Sequence, residues 1–172
     1  MVGIQRAEDD TVTPWSRSKH DWVLFALLLG AVLGVGLLVS SVVVSPSASS
    51  WTASLVLPEF YIPEPWDGLV SLVLGVAYAF VGWRVMLRGD HYAAATWWAV
   101  LILSWLFTPM FIAFRAYYPA LAIIVIVAVL LVILTARLLR TDWLLAVLTA
   151  PSAFYVIYAA VLTFAVIDLN DL

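Results

Sequence analysis

The stretch Ala120-Leu-Ala-Ile-Ile-Val-Ile-Val-Ala-Val-Leu-Leu-Val-Ile-Leu134 decides the fold. It sits inside a run from Ala116 to Ala136 with no charged residue. About 20 consecutive apolar residues carry a helix across a bilayer core of roughly 30 Å. Backbone polar groups in lipid must be satisfied within their own segment, so such a run is a helix rather than an isolated strand. The rest of the chain has the same character. Of 172 residues 65% are hydrophobic and 11% charged, and the mean hydropathy is +1.08. A chain this small leaves much of its surface outside any core, so lipid must solvate most of it.

Four further apolar runs flank the first, giving spans at about 22–44, 68–87, 94–114, 118–139 and 144–167. The expected fold is an all-α integral membrane protein: a five-helix transmembrane bundle over residues 21–172. It is preceded by a mobile polar tail (1–20) and carries a long ordered first loop (45–67). The first run is too long for the hydrophobic region of a cleaved signal peptide. Basic residues fix the orientation. Arg6, Arg17, Lys19, Arg84, Arg88, Arg137 and Arg140 fall on one side, and Arg115 on the other. The N-terminus is therefore expected in the cytoplasm and the C-terminus outside.

Composition excludes several classes of function. With no cysteine there is no thiolate metal site or thiol nucleophile, and His20 and His91 lack a spaced ligand set. A net charge of −3 without a basic run gives no footprint for nucleic acid. Ionisable groups deep in a membrane mark ion and proton pathways. None lies mid-span here, which argues against a pump, an ion channel or a proton-coupled transporter. No cofactor is required by any visible constellation.

What remains is aromatic: nine Trp, seven Tyr and eight Phe. The third span carries Ser104, Thr108 (or Phe107) and Phe111 at helical spacing, and the fifth carries Pro151, Tyr155, Tyr158 and Leu162. Two such stripes are read either as packing or as the walls of a cavity. Trp97 and Trp98, near a span end, read as membrane-belt residues. Pro109 and Pro151 lie within spans and are expected to kink them. Ala26, Gly30 and Gly34, at spacing four, allow close helix approach, inside the bundle or between two copies of the chain. The first loop reads Trp51-Thr-Ala-Ser-Leu-Val-Leu-Pro58-Glu-Phe60-Tyr61-Ile-Pro63-Glu-Pro65-Trp66. Its prolines and aromatics suit a cap over the outer mouth of the bundle. The other reading is a segment lying flat at headgroup depth.

These motifs resemble the TspO/translocator-protein family, the tryptophan-rich sensory proteins or peripheral benzodiazepine receptors. Trp51-x3-Leu55-x2-Pro58-x-Phe60 is similar to the family's first-loop Trp-x3-Leu-x-Lys-Pro-x-Trp, with Pro63 and Trp66 following. Tyr78-Ala-Phe-Val-Gly82 resembles Tyr-x-Leu-Met-Gly. Ser104-Trp-Leu-Phe107-Thr108-Pro109-Met-Phe111 resembles Asn-x-x-Trp-Ser-Pro-x-Phe. Pro151, Tyr155, Tyr158-Ala159, Leu162, Thr163 and Leu169-Asn170 keep the spacing of the family's last helix. Phe107 and Tyr155 stand where the family pattern has tryptophan, and Ser104 and Thr163 where it has asparagine, which marks a divergent member.

The resemblance implies a five-helix bundle, often dimeric, in the plasma membrane of a prokaryotic cell. It implies a pocket under the first loop for a porphyrin or haem-like tetrapyrrole, in a transport, sensing or regulatory role. Its expected contacts are Trp51, Phe60, Trp66, Ser104, Phe107, Phe111, Tyr155, Tyr158, Ala159 and Thr163. The alternatives are a light-dependent porphyrin-degrading enzyme, a sterol or isoprenoid lipid-binding protein, and a structural subunit without ligand.

Overall fold

The computed structural model describes residues 19–43, 50–63 and 65–172. The expected mobile tail up to residue 18, the start of the first loop (44–49) and Glu64 lie outside the described residues. Among the described residues five long helices follow in order: α1 (Lys19–Val43), α2 (Trp66–Leu87), α3 (His91–Thr108), α4 (Tyr117–Thr141) and α5 (Trp143–Leu169). Among the described residues there is no strand. A π-helical turn, Pro109–Ala113, extends α3. Among the described residues four segments are long and apolar enough to cross a membrane: Trp66–Leu87, His91–Ala113, Tyr117–Thr141 and Trp143–Leu169. In α1 the apolar segment is the shorter Asp21–Gly34 among the described residues. Neighbour contacts close the helices into a ring in the order α1, α2, α5, α4, α3, with α4 against α5 the most extensive interface.

The short connections between helices are built by acidic caps. Asp90 accepts from the Ala93 N–H at the start of α3. Asp142, in extended conformation, accepts from the Leu144 and Leu145 N–H groups at the start of α5. Side chains of this type satisfy donors that a helix start leaves open. Each cap is also an ion-pair partner. The Arg137 guanidinium grips Asp90 through two N–H groups at 3.0 and 2.9 Å, and Arg88 pairs with Asp142. Gly89, at φ +68°, turns the chain between α2 and α3 through a conformation that favours glycine.

The interior is locked by interleaved rings. Tyr78 and Trp97 stack with centroids 5.1 Å apart and planes 13° apart. The Tyr78 hydroxyl donates to the Trp97 carbonyl at 2.8 Å, and the Trp97 indole N–H donates to the Tyr78 carbonyl at 2.9 Å. Trp97 is 0% exposed, so it is a core residue and not the belt residue its position suggests; Trp98 beside it is the exposed one. Gly82 makes the seat, since a Cβ there would lie 2.3 Å from Trp97 Cε2. Next to Gly82 on α2, the buried Trp83 donates to the Asp21 carbonyl at 2.7 Å and stacks on Trp22, pinning α1.

The small-residue stripe of α1 turns away from this core. Ala26 and Gly30 are exposed, and nothing lies within 4 Å of a Cβ built on Gly30 or Gly34. The contact of α1 with α2 uses Gly75 instead, where a Cβ would meet the Leu33 side chain at 3.3 Å. The prolines also differ from one another. Pro109 has no N–H to give its preceding turn, and there α3 widens. The Phe114 N–H reaches the Pro109 carbonyl at 3.0 Å and the Ala116 N–H reaches the Met110 carbonyl at 2.9 Å. Arg115 closes the turn at φ +53°. At Pro151 α5 continues as one α-helix.

Two outcomes test this account. Gly82→Ala should lower stability by about 1–3 kcal/mol through overpacking against Trp97. Gly30→Ala, on the open face, should leave the detergent-solubilised melting temperature unchanged or slightly higher. The second outcome concerns acid. Its Arg137 hydrogen bond, then the Ala93 N–H, hold the Asp90 carboxyl below its usual range. Burial pushes the Asp142 carboxyl up, but the Leu145 N–H and Arg88 outweigh it and the net shift is downward. A carboxyl depressed in the folded state stabilises above its unfolded value, about 3.9, and loses that contribution as pH falls through the folded value. The melting temperature should therefore decline below about pH 4, and Asp90→Asn with Asp142→Asn should flatten that decline.

Candidate functional site

At the centre of the ring is a cavity of about 230 Å³, and all five helices contribute to its wall. Val32 and Gly36 come from α1, Gly75 and Tyr78 from α2, and Leu131 from α4. Val100, Leu101, Ser104 and Trp105 come from α3, and Ser152, Tyr155 and Val156 from α5. Its surface is predominantly apolar, with no charged residue on it. A few hydroxyls interrupt the greasy wall, the arrangement that orients small molecules in apolar pockets.

The hydroxyls are not equivalent. Tyr155 donates to the Asp67 carboxylate at 2.6 Å, and its oxygen lies 2.9 Å from Ser71 Oγ. Because the tyrosine proton goes to Asp67, Ser71 is the donor in the second bond. The chain Ser71, Tyr155, Asp67 therefore ties α5 to the start of α2 at the upper edge of the cavity. Tyr78 spends its proton on the Trp97 carbonyl. Ser104 has no hydrogen-bond partner among the described residues, and Ser152 Oγ is buried without one.

The described part of the first loop is fixed to the helix ends at two places. Trp51 stacks on Tyr117 with centroids 6.0 Å apart and packs against Phe111, itself stacked on Phe107. Arg115, held in the left-handed conformation after the π turn, places its guanidinium 5.4 Å from the Trp51 ring centre. Farther along, Asn170 clasps Val56 by both backbone groups, accepting from the N–H at 2.8 Å and donating to the carbonyl at 3.0 Å. The Tyr158 oxygen accepts from the Ile62 N–H at 3.0 Å and donates to the Phe60 carbonyl at 3.3 Å. The Phe60 ring meets Tyr158 edge-on.

The ten residues read from the sequence thus fall into three sets. Ser104 and Tyr155 line the cavity. Trp51, Phe60, Phe107, Phe111 and Tyr158 belong to the contacts that hold the loop to the helix ends. Trp66, Ala159 and Thr163 do neither. Trp66 is 61% exposed at the start of α2, and Thr163 turns its hydroxyl onto the Ala159 carbonyl at 2.7 Å. Ser71, Tyr78, Trp105 and Ser152 on the wall, and Tyr117 and Asn170 at the loop, were not among them. Asn170 had a signal, since it keeps the spacing of the last-helix pattern. Ser152 had none beyond its place next to Pro151.

Among the described residues no cluster of His, Cys, Asp or Glu has the makings of a metal site. A search of curated proteins finds no match for the chain. The sequence model of the TspO/MBR family, however, matches residues 22–168. That span takes in the cavity wall, the described loop and all but the ends of the helical ring, and the chain belongs to the TspO/MBR family.

Proposed function

We propose that this protein binds a flat, hydrophobic ligand within the membrane, of the porphyrin-type tetrapyrrole class, and that the binding serves transport, sensing or regulation. In this reading α1 is a fifth span and the first loop is the lid of the slot. The membrane is the plasma membrane of a prokaryotic cell, with the N-terminus in the cytoplasm. The observation that supports the reading is the cavity itself, a charge-free wall drawn from every helix, with a loop clasped by Asn170 and Tyr158 farther along α5.

The size of the slot adds a condition. At about 230 Å³ it is below the roughly 300–1,000 Å³ of pockets that enclose drug-sized ligands. A tetrapyrrole therefore enters only as the slot widens. The fastening that must yield is small. The Asn170 and Tyr158 clasps amount to four hydrogen bonds, each worth about 0.5–1.5 kcal/mol net. The same volume favours a second reading, in which the guest is a slimmer sterol or isoprenoid that needs less widening.

Titration of the protein in lipid nanodiscs with protoporphyrin, followed by tryptophan quenching, tests the proposal. Trp105 on the wall should report binding, and Trp105→Phe should reduce the quench. Ser104→Leu, which fills the slot, should weaken binding by at least about tenfold, or 1.4 kcal/mol. Asn170→Ala, which releases the clasp on Val56, should speed association several-fold. Equal titration curves for wild type and Ser104→Leu would remove the cavity as the site. A sterol that displaces protoporphyrin, and binds with no gain in rate from Asn170→Ala, would select the slimmer guest.

A further inference from the structure

Most of the cavity wall is shut off from the outside. Val100, Leu101 and Leu131 are buried, and Ser104, Tyr155 and Val156 are half-buried. Among the described residues that line the cavity, only Gly36 and Ser71 are exposed. They belong to different helices, and they stand opposite one another. The register comes from Gly75 of α2, where an added Cβ would meet Val32 and Leu33 of α1 at 3.4 and 3.3 Å. One turn nearer the first loop, Val32 is succeeded by Gly36 on α1 and Gly75 by Ser71 on α2. There the close contact ends, and among the described residues nothing lies within 4 Å of a Cβ built on Gly36. The two helices therefore meet at Gly75 and leave a gap one turn farther out, on the wall of the cavity.

The depth of the gap determines what stands in front of it. Ser71 lies about 7.5 Å along α2 from its start at Trp66, at 1.5 Å rise per residue. Leu37, Leu72 and Val73 beside it are exposed, so this level of the protein is bathed in acyl chains. Water does not compete for the space behind. A buried water needs about two to four polar partners, and Val32, Leu74, Val100, Leu101 and Leu131 on the wall offer none from their side chains. A volume of about 230 Å³ excludes a broad ring system until it widens, but it takes the end of an unbranched chain, whose burial against an apolar wall is favourable for each methylene.

These observations rest on the readings of α1 as a fifth span and of the cavity as a binding slot. We propose that the slot has a side window between α1 and α2 at Gly36 and Ser71, and that the acyl chain of a membrane phospholipid lies through it until a guest displaces it. The partner is a lipid tail and not a headgroup, because the wall carries no charge.

Photocrosslinking tests this. The protein is placed in nanodiscs containing a phosphatidylcholine with a diazirine near the end of one acyl chain, irradiated, and its adducts are assigned to residues by mass spectrometry. Wild type should carry adducts on Val100, Leu101 or Leu131, which are at most 4% exposed and out of reach of lipid on the outer surface, as well as on Leu72 and Val73. Gly36→Phe, which sets a ring in the window, should cut the wall adducts by about tenfold, equivalent to 1.4 kcal/mol, and spare those on Leu72 and Val73. Gly30→Phe, of equal bulk on the open face of α1, should leave both sets unchanged. Outer-face adducts without wall adducts in wild type overturn the lipid tail. Wall adducts that survive Gly36→Phe, or fall equally in Gly30→Phe, overturn the window. Saturating protoporphyrin should remove the wall adducts. If it quenches tryptophan while they persist, the displacement is overturned and the slot is lost as the protoporphyrin site, whereas tail and window stand.

Discussion

The Tyr78–Trp97 pair is the constraint on which the middle of the molecule depends. Each ring lies flat on the other and hands its proton to the other's backbone carbonyl. The two groups that most need a partner away from water are thereby satisfied in the act of packing. The pair fixes α2 against α3 at one height and one rotation, because a hydrogen bond in each direction leaves no sliding motion that keeps both. Gly82 lets the indole in. Tyr78 also forms part of the cavity wall, so the same lock that seals the core sets one boundary of the slot.

Around that lock the protein satisfies its polar groups locally. Helical threonines bond to their own backbone, the starts of α3 and α5 are capped by Asp90 and Asp142, and the widened turn at Pro109 still finds acceptors for Phe114 and Ala116. In a solvent that offers no hydrogen bonds these arrangements matter more than helix propensity. Against this background the few hydroxyls that face the central space are conspicuous. They carry the chemistry that an otherwise aliphatic wall lacks.

The helices were legible because lipid imposes one rule on all of them: a run of about 20 apolar residues. The Ala120–Leu134 stretch and its neighbours could be read without knowing what each touches. Faces were harder. Trp97 and Trp98 are adjacent and chemically alike, and only packing against Gly82 decides that one is buried and the other exposed. The same holds for Ala26, Gly30 and Gly34, whose spacing promises close contact but does not say with what. In a water-soluble helix the polar side marks the outside, whereas here both sides are apolar and that cue is lost. The site was partly legible for the same reason. Ser104 and Tyr155, read from the helical stripes and the family pattern, line the central cavity. Of the contacts that the resemblance implies, Trp66 is exposed and Thr163 bonds its own helix.

The two ends of the bundle are fastened very differently. At the end that carries Arg88, Gly89, Asp90 and Asp142, the connections are three residues and one residue long, and two ion pairs, Arg137–Asp90 and Arg88–Asp142, brace them. At the opposite end a longer stretch of chain leans on rings and a few neutral bonds. A body riveted at the base and merely buttoned at the top flexes like tweezers, with its tips and not its hinge doing the travelling. Whatever motion thermal energy lends this bundle falls more readily at the buttoned end than at the riveted one.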